Sequence, residues 1–223
     1  MFWVNSALEP LPLGLAKDWV KVLLQRFRAI RRKRRDDLEA IRNAFVDPEL
    51  LVRHYIEPDC QLINPADLNE HHPFPTWIAR TPIRNRINDF LRGPSLERDG
   101  RNALFVLSDA GMGKSSLPII LKVASLVAFW PNDRVFHLAR LGPSTLEEIR
   151  AIDDRRRTIL LLDALDEDPT AFGRVEDRIR ELLLEAVSFY RVIITCRTQF
   201  FPESGEVPIE AFGRVEVAGL FAI

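Results

Sequence analysis

Ser108-Asp-Ala-Gly-Met-Gly-Lys-Ser-Ser116 gathers two glycines, a lysine and hydroxyls between the apolar runs Ala103–Leu107 and Leu117–Trp130. The order predicts a strand, a phosphate-binding loop and a helix. Gripping a triphosphate takes backbone N–H groups on a glycine-rich turn, a helix N-terminus aimed at the charge, a lysine on the β- and γ-phosphates and a hydroxyl on Mg²⁺. Gly111, Gly113, Lys114 and Ser115 stand at the spacing this chemistry needs, with Ala110, Met112 and Ser116 supplying the rest of the cradle. The pattern G-x-x-x-x-G-K-[ST] would place glycine at 108, where this chain has Ser108; serine fits there if its φ is not left-handed. The competing interpretation is an ordinary glycine turn with an exposed lysine.

A second cluster lies further along. The continuous apolar run Thr158–Leu162, typical of a central strand in a parallel sheet covered on both faces, ends in Asp163-Ala-Leu-Asp166-Glu167-Asp168. An acid at the end of such a strand beside a phosphate loop orders Mg²⁺ together with the loop hydroxyl. Asp163 takes that role, with Ser115 as its partner on the metal. Asp166 and Glu167, three and four residues on, can place a carboxylate where a general base or water-positioning group is needed for hydrolysis. Alternatively, these acids form a solvated turn before a helix starting near Pro169. A third strand, Arg191–Cys196, ends in Arg197, a cation that either stabilises γ-phosphate charge or pairs with one of the acids.

Composition sets the frame for these sites. The 223 residues suffice for one α/β domain with flanking structure. With 47% hydrophobic and 28% charged residues, the chain lies outside the disordered regime. The net charge of −1 gives no global attraction to nucleic acid or membrane. Cys60 and Cys196 lie far apart, which suits a reducing cytosol without disulfides or a cysteine-ligated metal. There is neither an 18-residue uncharged apolar run nor the pattern of a signal peptide at Met1-Phe-Trp-Val-Asn5, so a cytoplasmic location is expected.

Elements follow from periodicity and breakers. Residues 1–15, with Pro10, Pro12 and Gly14, predict an irregular lead-in. From Ala16 to about Phe45 apolar residues recur at three and four, one amphipathic helix or two, with the basic run Arg28–Arg35. That run suits an anionic membrane or nucleic acid; the preferred reading is a helix packed on its own domain with a solvated basic face. Asp47-Pro48 predicts its end, and residues 51–75 read as a connector with short elements. His54, His71 and His72 there lack metal-ligand spacing. Pro82 leads into a helix through Ile83, Ile87, Phe90 and Leu91, closed by Gly93-Pro94. Beyond the loop helix, which Pro131 closes, Arg134–Ala139 predicts a strand. Pro143–Glu148 then predicts a capped helix start, and Arg155–Arg157 a basic turn. Alternating strands and helices predict a doubly wound α/β fold with ligand at the carboxyl ends of the strands.

Taken together, Asp109-Ala-Gly-Met-Gly-Lys-Ser-Ser116, Leu160-Leu-Leu-Asp-Ala-Leu-Asp-Glu167 and Ile194-Thr-Cys-Arg197 resemble the NACHT group of STAND-class P-loop NTPases, signalling proteins of innate immunity, cell death and antiviral defence. Trp77-Ile-Ala-Arg-Thr81 with its following helix is similar to the segment of that class that contacts the nucleotide base, which makes Arg80 a nucleotide-binding residue by resemblance. The resemblance covers about Trp77 to Ile223. It implies an ASCE arrangement: a five-stranded parallel P-loop NTPase sheet flanked by helices, with the Arg191–Cys196 strand between the other two motif strands. It also implies helical and winged-helix parts beyond a fifth strand ending near Ile223, so a C-terminally incomplete nucleotide-binding domain is expected over 76–223, with an N-terminal helical and irregular extension over 1–75.

Two classes of function follow as expectations. One is a signalling or defence switch that binds Mg²⁺ and ATP (or GTP) and hydrolyses it slowly. The other is a non-catalytic nucleotide-binding module that self-associates or docks a protein partner. A P-loop ATPase acting on nucleic acid through residues 16–45 is a third and less favoured reading.

Overall fold

The computed structural model describes residues 41, 48–61, 80–93, 102–126, 134–201 and 216–221. The lead-in, the 16–45 stretch apart from Ile41, the Arg28–Arg35 run, His71, His72, residues 77–79 and Pro131 lie outside them. Seven strands are described: β1 (Asp59–Gln61), β2 (Thr81–Pro82), β3 (Ala103–Ser108), β4 (Val135–Arg140), β5 (Thr158–Asp163), β6 (Arg191–Arg197) and β7 (Glu216–Phe221). Five helices join them: α1 (Pro48–His54), α2 (Ile83–Arg92), α3 (Ser116–Leu126), α4 (Thr145–Arg150) and α5 (Val175–Ala186).

The strands form one sheet in the order β2-β1-β7-β3-β6-β5-β4. From β7 to β4 every pairing is parallel, while β1 joins β7 and β2 joins β1 antiparallel. The run from β7 to β4 therefore has its carboxyl ends on one side, and β6 lies between β3 and β5. Strands β3 and β5 are central because nearly every residue in them is apolar, so both faces must be covered.

Side-chain alternation sorts the core into two layers. Leu104, Val106, Leu161 and Ile193 pack on one face with Ile83, Ile87, Phe90 and Leu91 of α2 and the apolar residues of α3. Phe105, Leu107, Leu160, Leu162 and Ile194 pack on the other with Ile149 of α4 and Ile179, Leu182 and Leu183 of α5. Ile41 is helical and fully buried in the first layer, as its place on the predicted apolar face requires.

Pro48 opens α1, since a ring without an N–H is tolerated in a first helical turn; the expected end of the preceding helix, at Asp47, lies outside the described residues. Two local expectations are corrected. The helix start at 143–148 is present, but Ser144 makes no side-chain cap. Thr145 Oγ1 instead accepts from the Gly142 N–H at 2.8 Å. No α-helix starts near Pro169: a 3₁₀ turn over Pro169–Ala171 intervenes, and α5 begins at Val175.

Charged residues at strand ends lock helices to the sheet. Arg191, fully buried at the start of β6, donates from Nε to the Phe90 carbonyl at 2.9 Å and from its guanidinium to the Gly93 carbonyl at 3.1 Å. It places a cation at the C-terminal end of α2, where orphan carbonyls gather. The Tyr190 hydroxyl adds a bond to the Leu91 carbonyl at 2.9 Å. At the other end of α2, Glu57 Oε1 accepts from the Arg84 N–H at 3.1 Å. The helix is thus pinned at both ends, running from the carboxyl side of the sheet back to the start of β6.

Candidate functional site

Turn chemistry shapes the connection from β3 to α3. Gly111 and Gly113 adopt φ of +82° and +85°, a region a side chain would strain. Ser108 is the last residue of β3, and Ala164 is the sole non-glycine residue with positive φ among the described residues, so serine in place of the first glycine carries no left-handed strain. Within the loop, the Met112 N–H bonds to the Asp109 carbonyl and the Leu117 N–H to the Gly113 carbonyl. Among the described residues, the N–H groups of Gly111, Gly113, Lys114 and Ser115 have no acceptor. They sit at the N-terminus of the eleven-residue helix α3, where the helix dipole adds positive potential. The Ser115 hydroxyl is exposed, with no partner among the described residues.

Lys114 reaches from the loop to the next carboxyl-end turn. Its Nζ pairs with Asp166 Oδ1 and lies 4.0 Å from Glu167 Oε1. The Lys114 and Asp166 side chains are only 10% and 4% exposed, so the pair is screened far less than a surface bridge. Arg197 holds the same carboxylate twice, from Nε to Oδ2 at 2.8 Å and from its backbone N–H to Oδ1 at 3.2 Å. Of the two roles open to Arg197, this structure displays the acid pairing. Glu167 is more open, 39% exposed, and its Oε2 accepts from Arg140 at the end of β4 at 2.6 Å. An alternating chain of charge results: Arg140, Glu167, Lys114, Asp166, Arg197.

Asp163 ends β5 half-buried. Its Oδ1 accepts from Thr195 Oγ1 at 2.5 Å, and Oδ2 has no hydrogen-bond partner among the described residues. Ala164 next to it takes a left-handed conformation, φ 64° and ψ 57°, at a cost of about 1–2 kcal/mol. A small residue lowers that cost, and the turn aims Asp166 and Glu167 back across the sheet end. Ser115 and Asp163 both lie at the carboxyl side of the sheet, although no hydrogen bond links them. Arg80 sits exposed before β2, three strands from β3 along the sheet order and so roughly 14 Å away in strand spacing.

The fourth acid is structural. Asp168 is fully buried and pairs with Arg178 Nε of α5 at 2.8 Å, while the N–H and hydroxyl of Thr170 donate to its other oxygen. Arg178 also bonds to the Gly142 carbonyl at 2.9 Å, which ties the turn after β5 to the turn after β4. Burial alone would raise the Asp168 carboxyl, but the bonds from Thr170 and Arg178 hold it below the ordinary carboxylate range. A depressed folded pKa contributes stability that is complete above the unfolded value, about 4, and is lost as pH falls through the folded one. Removing one partner strands the other: Arg178→Ala should cost about 3–5 kcal/mol in urea denaturation at pH 7, and Asp168→Asn should flatten the loss of stability below pH 4. A cost under about 1 kcal/mol would contradict this assignment. Cys196, buried beneath the same turn, has its thiol pushed up to about 12 by burial and then by Asp166, so it is inert at neutral pH.

Sequence reasoning overlooked Thr195, Arg140, Arg178 and Arg191. For Thr195, Arg140 and Arg191 the signal was a polar or charged residue inside, or at the end of, a largely apolar strand, whereas Arg178 is one of several charges on α5 and carries no such signal. No protein-family model matches the chain, and no curated protein matches it. Among the described residues no helix is long and apolar enough to cross a membrane, and no group of three His, Cys, Asp or Glu residues is placed to hold a metal.

Proposed function

We propose that this chain binds a nucleoside triphosphate, ATP or GTP, with Mg²⁺, and hydrolyses it slowly as the core of a NACHT-like STAND P-loop switch. The observation that carries this reading is the loop. Four N–H groups without acceptors among the described residues lie at or beside two left-handed glycines at a helix N-terminus, with Lys114 reaching from the same loop to Asp166. Backbone donors of that kind are matched to phosphate oxygens. The strand order gives further support, since β6 inserts between β3 and β5 as the resemblance implies for an ASCE sheet.

Roles divide among the side chains. The loop amides and Lys114 take the β- and γ-phosphates. The exposed Ser115 hydroxyl and Asp163 Oδ2, which has no hydrogen-bond partner among the described residues, fit a Mg²⁺ that would retain most of its water, because this ion is usually held by one or two protein oxygens plus phosphate rather than by an all-protein cage. An ion held by these two oxygens would supply charge neutralisation on the transferring phosphoryl group. Glu167 positions the attacking water and accepts its proton, and Arg197 steadies charge on the γ-phosphate. As a polyanion arrives, Lys114 and Arg197 exchange Asp166 for phosphate oxygens. Calorimetric titration of the purified protein with Mg·ATP and Mg·GTP is the test. Saturable one-to-one binding of either supports the reading; no heat up to millimolar nucleotide overturns it.

A further inference from the structure

Beside the acidic turn lies a buried hydroxyl with two fixed partners. Thr195 is fully buried in β6, whose neighbouring interior positions, Val192 to Ile194 and Cys196, are apolar. Its Oγ1 donates its single proton to Asp163 Oδ1 at 2.5 Å and accepts from the Ala164 N–H at 3.0 Å. The register makes this contact lateral, since Leu162 pairs with Ile194 and the next residues, Asp163 and Thr195, stand side by side. One hydroxyl therefore fixes one carboxylate oxygen and the left-handed residue that follows it, while Oδ2 has no partner among the described residues.

We propose that Thr195 is a positioning residue for the divalent cation: by holding Oδ1 and the turn at Ala164, it presents Asp163 Oδ2 to the metal. This rests on the Mg-nucleotide reading of the site. Among the described residues no hydrogen bond joins the Thr195 hydroxyl to the loop or to Lys114, so it governs the cation's contribution to binding and leaves the direct grip on phosphate alone. Outer-shell partners of metal-ligating carboxylates typically change metal affinity by about 10–100-fold when removed.

Thr195→Val keeps the shape and deletes the hydroxyl; Thr195→Ser keeps the hydroxyl. Nucleotide affinity is measured for each in EDTA and across a Mg²⁺ titration. Thr195→Val should raise the Mg²⁺ concentration giving half of the affinity gain by about tenfold or more, leave the EDTA affinity within about twofold, and be rescued by Ser. If Val is poorly folded by circular dichroism, Thr195→Ala carries the same expectation. An unchanged Mg²⁺ requirement overturns the proposal, as does an equal loss of affinity with and without Mg²⁺, which is the mark of a purely structural residue. Wild-type protein that binds no nucleotide in either condition overturns the site reading as well, a result distinct from these two.

Discussion

Lys114→Ala is expected to weaken Mg·ATP binding by about 10- to 150-fold, read by calorimetry. A hydrogen bond to a charged group contributes about 1.5–3 kcal/mol, and Lys114 is the single side-chain cation reaching out of the loop itself. The substitution has a second effect. Asp166 loses Lys114 but keeps both bonds from Arg197, so the turn retains a charge partner and the fold should survive. Arginine at 114 would not substitute, because a planar fork replaces a compact point charge. Affinity within twofold of wild type in Lys114→Ala would remove the loop lysine from the site and, with it, the functional assignment of Ser108–Ser116.

Glu167→Gln should leave nucleotide affinity within a few-fold and slow hydrolysis by about 10²–10⁴-fold, the range a general base contributes. The geometry favours Glu167 over Asp166 for this role. Both oxygens of Asp166 are taken by Lys114 and Arg197, in a side chain only 4% exposed. Glu167 is partly open and is held chiefly by the exposed Arg140, 72% accessible, a surface pair of small energy. A carboxylate that is easily released and reaches water makes the better base. Single-turnover hydrolysis with bound nucleotide measures the step directly. An unaltered rate in Glu167→Gln transfers the role to Asp166, for which Asp166→Asn is the next substitution.

The strands were legible in the sequence because apolar runs bounded by glycine, proline and charge leave little choice: Ala103–Ser108, Val135–Arg140, Thr158–Asp163 and Arg191–Arg197 all follow them. The helix at Ile83–Arg92 was equally clear from its period. What escaped depends on partners distant in sequence. Arg191 caps a helix about a hundred residues earlier, and Asp168 belongs to a buried pair with Arg178 rather than to the acidic cluster beside it. Charge alone cannot distinguish these cases, since a buried ion and a solvated one look the same until the fold decides which is covered. The two short antiparallel strands at Asp59–Gln61 and Thr81–Pro82 were hidden for another reason, being too short to show alternation. The Thr145 contact took the place of the expected Ser144 cap because threonine faces back toward the Gly142 amide.

In the proposed function, the β3–α3 loop amides that have no acceptor among the described residues hold nucleotide phosphate. Amide chemical shifts of Gly111, Gly113, Lys114 and Ser115 during a Mg·ATP titration test it most directly. These four amides should move together, saturate with the nucleotide and be among the largest shifts in the spectrum. Saturable nucleotide binding that leaves all four unmoved would contradict it.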